Sequence, residues 1–257
     1  MKKINTIYLP LLLVFSFFFI SFSSYLSKNS FSVDDVPVLA IPKEKKIAHL
    51  TFDDGPSDNT IKILDILDKY DIQATFFVVG PSYKLKNNLL KEIVNKGHSL
   101  AIHSYSHEYS KIYKSETDYI NDFYDCLNWI KNKTNIEPKI YRFPGGSSNT
   151  LTNKEQIQSI ILTLETQGFK HVDWNVDSFD SKYNTDSSEI IKSTINAIKF
   201  NEANNYFNQT ILLHDNTKKI GTIEALASII EYLISTGYQF KTLNINSNLV
   251  QHVKKPQ

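Results

Sequence analysis

The sequence has a single cysteine, Cys126, among its 257 residues, so the chain can form neither an internal disulfide nor a thiolate metal cluster. Cys126 falls in a predicted helix and reads as a small buried side chain. Charge of one sign is also lacking. With 28 Lys+Arg against 27 Asp+Glu the formal net charge is +1, which gives no electrostatic case for nucleic-acid binding, where a clearly basic balance is expected. There is no internal repeat of the solenoid type. No Ala-x-Ala pattern follows the apolar N-terminal run, although Ser21 to Ser24 could still serve as a cleavage site.

What is present is one long apolar run at the start and enough hydrophobic sequence after it, 41% over the whole chain, for one large core or at most two small ones. Lys2 and Lys3 precede the run, which extends from about Ile7 to Leu26. Its length favours a retained membrane anchor over a cleaved secretory signal, and the leading lysines put the N-terminus in the cytoplasm with the remainder outside. Residues 1–26 are therefore expected to be an anchor or signal peptide and 27–45 a polar tether with Pro37, Pro42 and the Lys43-Glu44-Lys45-Lys46 charge run. Residues 46–245 are expected to form the catalytic domain and 246–257 a polar C-terminal tail. The expected location is a bacterial cell membrane with the domain extracellular; secretion after signal cleavage is the alternative. Lack of disulfides is compatible with a secreted bacterial protein.

Within 46–245, apolar stretches alternate with amphipathic ones. Ile47 to Phe52, Ala74 to Val79, Ser99 to His103, Lys139 to Arg142, Phe169 to Val176, Thr210 to His214 and Tyr238 to Leu243 read as strands. Helical patterns lie between them, among them Thr60 to Tyr70 and Thr222 to Ser235. Ser115 with Asp118, Thr152 with Glu155, and Asp186 with Glu189 have the spacing of N-terminal caps. Regular alternation of this kind requires parallel strands covered by helices, hence an α/β sheet or barrel.

Ligands in such folds bind at the carboxyl ends of the strands, and the polar clusters fall there. Asp53 and Asp54 end the first strand, His103 the third, Arg142 the fourth, Asp177 the fifth and His214 the sixth. A carboxylate and two imidazoles can hold a catalytic zinc with one position left for water, and a second carboxylate beside them could deprotonate that water. Successive strand residues face opposite ways, so Asp53 and Asp54 would divide these tasks. His103 and His107, four apart, would meet on one face of a helical turn. Alone, the same pair would fit a surface or capping role equally well; the upstream carboxylates favour the metal. Arg142 precedes Gly145-Gly146, whose backbone amides could approach a ligand closely. His214 stands where an imidazole could protonate a leaving amine. His49, His98, His171 and His252 are expected to be structural.

Five segments in this order, TFDDGP at Thr51 to Pro56, HSYSH at His103 to His107, RFPGG at Arg142 to Gly146, DSFDS at Asp177 to Ser181 and LLHD at Leu212 to Asp215, resemble the polysaccharide deacetylase family of carbohydrate esterases, the NodB-homology group that includes peptidoglycan and chitin deacetylases. The resemblance spans about Lys46 to Leu243. It implies a distorted (β/α) barrel of about seven parallel strands. It also implies one divalent ion, usually zinc, on residues corresponding to Asp54, His103 and His107, with Asp53 as general base. Arg142 would hold the base in position, His214 would act as general acid, and Asp177 would orient that imidazole. Many members have an aromatic residue where Gly145 stands and a Trp where Ser181 stands. Trp174, Phe143, Phe179 or Leu212 could supply the replacement wall, a core role for Trp174 being the equal alternative, with Gly145 itself contacting the substrate through its amide.

The function so implied is metal-dependent removal of acetyl groups from N-acetylated sugars of an extracellular polysaccharide, with N-acetylglucosamine of peptidoglycan the first expectation. Chitooligosaccharides, N-acetylmuramic acid, an exopolysaccharide or an O-acetyl ester are alternatives. Two readings from other classes are a wall carbohydrate-binding protein without turnover and a metal-dependent phosphoesterase. The ligand types would accept cobalt, nickel or manganese as well as zinc. The membrane and the polysaccharide are the expected partners; no protein partner is implied.

Overall fold

The computed structural model describes residues 45–81, 88–182 and 185–255. The expected anchor and all of the tether but Lys45 lie outside the described residues. Among those described, no helix is long and apolar enough to cross a membrane.

Among the described residues, eight strands and seven helices follow in the order β1 (Ile47–Asp53), α1 (Asp58–Lys69), β2 (Thr75–Val79), α2 (Leu89–Asn95), β3 (Ser99–Ser104), α3 (Tyr109–Ile112), α4 (Glu116–Thr134), β4 (Ile140–Tyr141), α5 (Lys154–Thr166), β5 (Lys170–His171), β6 (Val176–Asp177), α6 (Ser187–Ala203), β7 (Asn208–His214), α7 (Ile220–Ser235) and β8 (Gln239–Phe240). All strand pairings are parallel. Seven strands follow one path, β5-β4-β3-β2-β1-β7-β6, with β8 set against β1. This is the distorted (β/α) barrel expected from the sequence. One expected strand is corrected: the run from Phe169 to Val176 is two short strands, β5 and β6, separated by Val172-Asp173-Trp174-Asn175.

Period-2 alternation gives the central strands two faces with different duties. Ala48, Leu50 and Phe52 of β1, Phe76 and Val78 of β2, Leu100 and Ile102 of β3, and Ile211 and Leu213 of β7 all join the large core beneath the helices. The intervening residues point the other way, into the barrel, where Phe77, Ala101, Ile140, Val172 and Leu243 form a second, smaller cluster. Asp53, His103 and His214 belong to this inward set, at the strands' carboxyl ends. Each fully buried Leu, Ile or Phe contributes roughly 1.5–3 kcal/mol, so a slip of one residue in any of these strands would exchange core and site at large cost.

The ends of the helices follow from local chemistry. Ser57, Ser115 and Asp186 cap α1, α4 and α6 by accepting from backbone N–H groups of the first turn. At α5 the cap is Asn153 rather than the expected Thr152. Part of the expected polar tail lies against the domain. The Asp173 N–H donates to the Val250 carbonyl (2.7 Å), the Val253 N–H donates to Ser147 Oγ (3.0 Å), and Val253 is buried.

Candidate active site

Strand register builds the site. β1 and β7 pair along their full length, so that Asp53 is the direct partner of His214. Beyond Asp53 the backbone turns into the left-handed region at Asp54 (φ 76°), which an Asp tolerates better than most L-residues. This breaks the alternation of a strand and lets two adjacent carboxylates serve one cleft. Asp53 Oδ2 lies 4.0 Å from His103 Nε2, and Asp54 Oδ1 lies 3.4 Å from the same nitrogen. Gly55 then passes so close to Asp215 that a Cβ would fall 2.1 Å from its carboxylate oxygen. Burial pushes that Asp215 carboxyl up to about 7, against the hydrogen bond from Thr60 that favours its ionised form.

His103 is held by its other nitrogen, Nδ1, which is 2.9 Å from the Arg142 carbonyl; Nε2 is thereby aimed at the cleft. His107 does not sit on a helical turn. It lies in the loop after β3 with φ 54°, and its Nε2 reaches 3.2 Å from Asp54 Oδ1. That loop is fixed by Asp122 of α4, whose carboxylate accepts from Ser104 Oγ and from the N–H groups of Tyr105 and Ser106. Ser104 Oγ in turn accepts from the His107 N–H. Donor atoms of Asp54, His103 and His107 all lie within 4.8 Å of one another. Burial works to raise the Asp54 carboxyl, but hydrogen bonds from His103 and His107 outweigh it and hold it far below the usual range. Burial alone would lower His107, yet the bond to Asp54 leaves it raised. One carboxylate oxygen and two imidazole nitrogens gathered this way suit a single divalent ion such as zinc.

Arg142 is fully buried, and its guanidinium spends four hydrogen bonds in the barrel: Nε to the Val172 carbonyl, Nη1 to Thr51 Oγ1 and Asp53 Oδ1, and Nη2 to the Asp173 carbonyl, at 2.8 to 3.0 Å. It also lies over the Phe77 ring at 4.1 Å. A planar donor fork so saturated fixes Asp53 in place and supplies its counter-charge.

The imidazole partner expected in Asp177 is instead Asp180. Asp180 Oδ1 is 2.6 Å from His214 Nδ1, while Oδ2 accepts from the His214 N–H and from Thr222 Oγ1. Asp177 accepts from the Phe179 N–H, and burial raises its carboxyl. The reversal has a local cause: Phe179 adopts φ 57°, which turns the chain and sends Asp180 inward. Burial by itself would lower the His214 pKa, but the bond and charge of Asp180, with Asp53 and Asp54 adding, lift it to about 9. This environment favours the imidazolium form of His214, with Nε2 free of the Asp180 bond.

Of the expected substrate contacts, Phe143 is corrected. Its side chain is 0% exposed and points outward from the barrel, against Tyr119 and Tyr141, the face opposite to Arg142. Leu212 shares the inward face with His214 one pleat deeper and is 4% exposed. Trp174 is partly buried, with its ring 5.6 Å from the Arg142 guanidinium and so close to Gly146 that a Cβ there would clash with it at 2.7 Å. Gly145 is exposed in the same loop with φ 81°. Asp180 stood within the DSFDS segment, three residues after the Asp chosen from it, whereas Asp122 and Asn216, whose amide donates to Asp54 Oδ2 at 3.0 Å, had no distinguishing sequence signal. The four other histidines bond backbone: His49 with Lys241, His98 with Ala74, His171 with Val253 and His252 with Trp174.

Comparison with known proteins agrees with this geometry. The polysaccharide deacetylase family model matches residues 40–160. A peptidoglycan-N-acetylglucosamine deacetylase of Bacillus cereus is 32% identical over 212 residues, which cover 80% of this chain and 72% of the relative. The chain belongs to the polysaccharide deacetylase family. Among solved structures, the catalytic domain of peptidoglycan N-acetylglucosamine deacetylase from Eubacterium rectale aligns with a TM-score of 0.74 at 33% identity, covering 83% of this chain and 95% of that one. A CE4 esterase of Streptococcus mutans aligns with a TM-score of 0.70 at 31% identity, covering 78% and 87%.

Proposed function

We propose that this polysaccharide deacetylase removes the N-acetyl group from sugars of an extracellular polymer, N-acetylglucosamine of peptidoglycan foremost, using one divalent ion held by Asp54, His103 and His107. The observation that carries the reading is the flanking of that ligand cluster by a buried carboxylate clamped to Arg142 on one strand and an imidazolium clamped to Asp180 on the next. A binding module would need neither.

An ion in this set supplies Lewis-acid polarisation of the acetamide carbonyl and lowers the pKa of a water beside it. Asp53 takes the proton of the attacking water as general base; its Oδ1 is committed to Arg142, which leaves Oδ2 for the proton. The exposed Gly145 N–H is the donor this loop offers to the developing oxyanion. His214 is held through Nδ1 and delivers the Nε2 proton to the departing sugar amine. Products are acetate and a free amine, which would add positive charge to the polymer.

Gly145 and Ser181, standing where many members carry aromatic residues, would leave a more open cleft, which suits an internal sugar of a long chain. The apolar run within residues 1–26, with Lys2 and Lys3 before it, favours a domain anchored outside a bacterial membrane, next to the wall. The test is acetate release from purified peptidoglycan and from chitooligosaccharides, with and without added zinc, beside Asp54→Ala. Zinc-dependent release that is lost in the variant is expected. A folded, zinc-loaded protein that frees no acetate from either polymer would overturn the assignment.

A further inference from the structure

The loop after β7 does more than carry His214. Asp215 and Asn216 tie it to the loop after β1, which carries Asp54. Ser57 Oγ donates to the Asp215 carbonyl, Thr60 Oγ1 to Asp215 Oδ2, and Asn59 Nδ2 to the Asn216 carbonyl at 2.8 Å. The Asn216 side chain completes the tie. Its Oδ1 accepts from the Lys218 N–H at 3.1 Å, which settles the orientation of the amide, because a flipped group would set two donors against each other. Nδ2 must then face Asp54, and it donates to Oδ2 at 3.0 Å.

Asp54 therefore has two unequal oxygens. Oδ1 faces His107 Nε2 at 3.2 Å and His103 Nε2 at 3.4 Å, whereas Oδ2 is engaged on the far side by an amide. A carboxylate free to swing can offer both oxygens to one cation, and the second would occupy a position that a hydrolytic site keeps for water or substrate.

We infer that Asn216 is a positioning residue that confines Asp54 to one-oxygen ligation of the divalent ion, and so sets both the affinity of the site and its open position. The inference rests on the metal-site reading above. Outer hydrogen bonds of this type are worth about 10–100-fold in metal affinity when removed.

Two variants of the full-length protein separate this role from loop support. Asn216→Ala removes both side-chain bonds. Asn216→Ser keeps an oxygen that can accept from the N–H two residues on but is too short to reach Asp54. Zinc affinity by competition with a chromophoric chelator should fall by about 10–100-fold in both. The visible bands of the cobalt-loaded variants should weaken relative to wild type as the coordination number rises. The melting temperature of the metal-free protein reports the loop; where Ala lowers it, the Ser variant decides. Wild-type affinity and cobalt spectrum in the Ser variant would assign Asn216 to the loop alone and overturn the inference, as would no change in the Ala variant. A wild-type protein that takes up no zinc would remove the metal-site reading and this inference together; unchanged affinity in the variants of a zinc-binding wild type would remove this inference only.

Discussion

Replacing Asp180 with Asn leaves the shape of the His214 partner intact and removes its charge. Lifting the His214 pKa from 6.5 to about 9 corresponds to roughly 3 kcal/mol in favour of the imidazolium, at about 1.4 kcal/mol per tenfold. Without the carboxylate, burial is the largest influence left, and it favours the neutral ring. At pH 7.5 a general acid with a pKa near 9 is almost wholly protonated, and one at 6.5 or below is protonated to about a tenth or less. Protonation alone thus costs about tenfold in kcat. With its oxygen kept by the His214 N–H and Thr222 Oγ1, an Asn would turn its amide N–H toward Nδ1 and donate to it, which adds a changed tautomer; in the serine-protease triad that brings the loss to about 10⁴-fold. The expected fall therefore lies between about 10- and 10⁴-fold, with the alkaline limb of kcat moved to lower pH. Acetate release across pH 5.5 to 10, for wild type, Asp180→Asn and Asp177→Asn, is the assay. Asp177→Asn should keep the alkaline limb of the wild type. An Asp177 variant that loses the limb while the Asp180 variant keeps it would refute the assignment.

The same couple makes a prediction for stability, with a definite sign. The His214 pKa is raised on folding, so its stabilisation is complete below about 6.5 and is lost as pH rises through about 9. Asp180, buried but held below its usual range by His214, loses its share as pH falls. The stability gap between metal-free wild type and Asp180→Asn should accordingly be widest between about pH 5 and 6.5 and narrow toward pH 9 and above. A gap that widens above pH 8 would contradict it.

Asp53→Asn should still bind zinc one-to-one while acetate release falls by about 10²–10⁴-fold, the usual worth of a positioned base; an active variant would remove Asp53 from that role. Arg142→Met leaves Asp53 buried without its cation and should lower stability by about 3–5 kcal/mol in urea unfolding, with a loss below about 1 kcal/mol showing that Asp53 is not held as described. Phe143→Ala should cost about 3–5 kcal/mol of stability with little change in KM. A raised KM at unchanged stability would return Phe143 to the substrate wall.

Strand positions were legible wherever a continuous apolar run supplied both faces. The runs at Ile47, Ala74, Ser99 and Thr210 became β1, β2, β3 and β7 within a residue or two. The run from Phe169 to Val176 misled because its polar centre is committed elsewhere. Asp173 accepts from Ser147 and from the His252 N–H, and its carbonyl takes a hydrogen bond from Arg142, so the segment breaks into two strands to serve the guanidinium. Phe143 misled for a simpler reason: next to Arg142 in sequence, it faces the opposite layer. The errors at His107 and Asp177 share a cause. Both depend on a non-glycine residue in the left-handed region, His107 itself and Phe179, and no glycine marks either turn in the sequence.

Backbone handedness also explains how neighbouring carboxylates acquire different work. Strict alternation would send Asp53 into the barrel and Asp54 out to the helices, where a charge has no partner. The left-handed turn at Asp54 brings it back over the strand end, toward two imidazoles, while Asp53 stays one step lower beside a buried guanidinium. The two environments then differ in kind. Asp54 meets two imidazole nitrogens and an amide donor, a setting for a cation; Asp53 meets a fixed cation and presents its free oxygen to the cleft, a setting for a proton acceptor. The division of labour proposed for ligand and base therefore rests on one φ angle, with Arg142 on one side of the pair and Asn216 on the other.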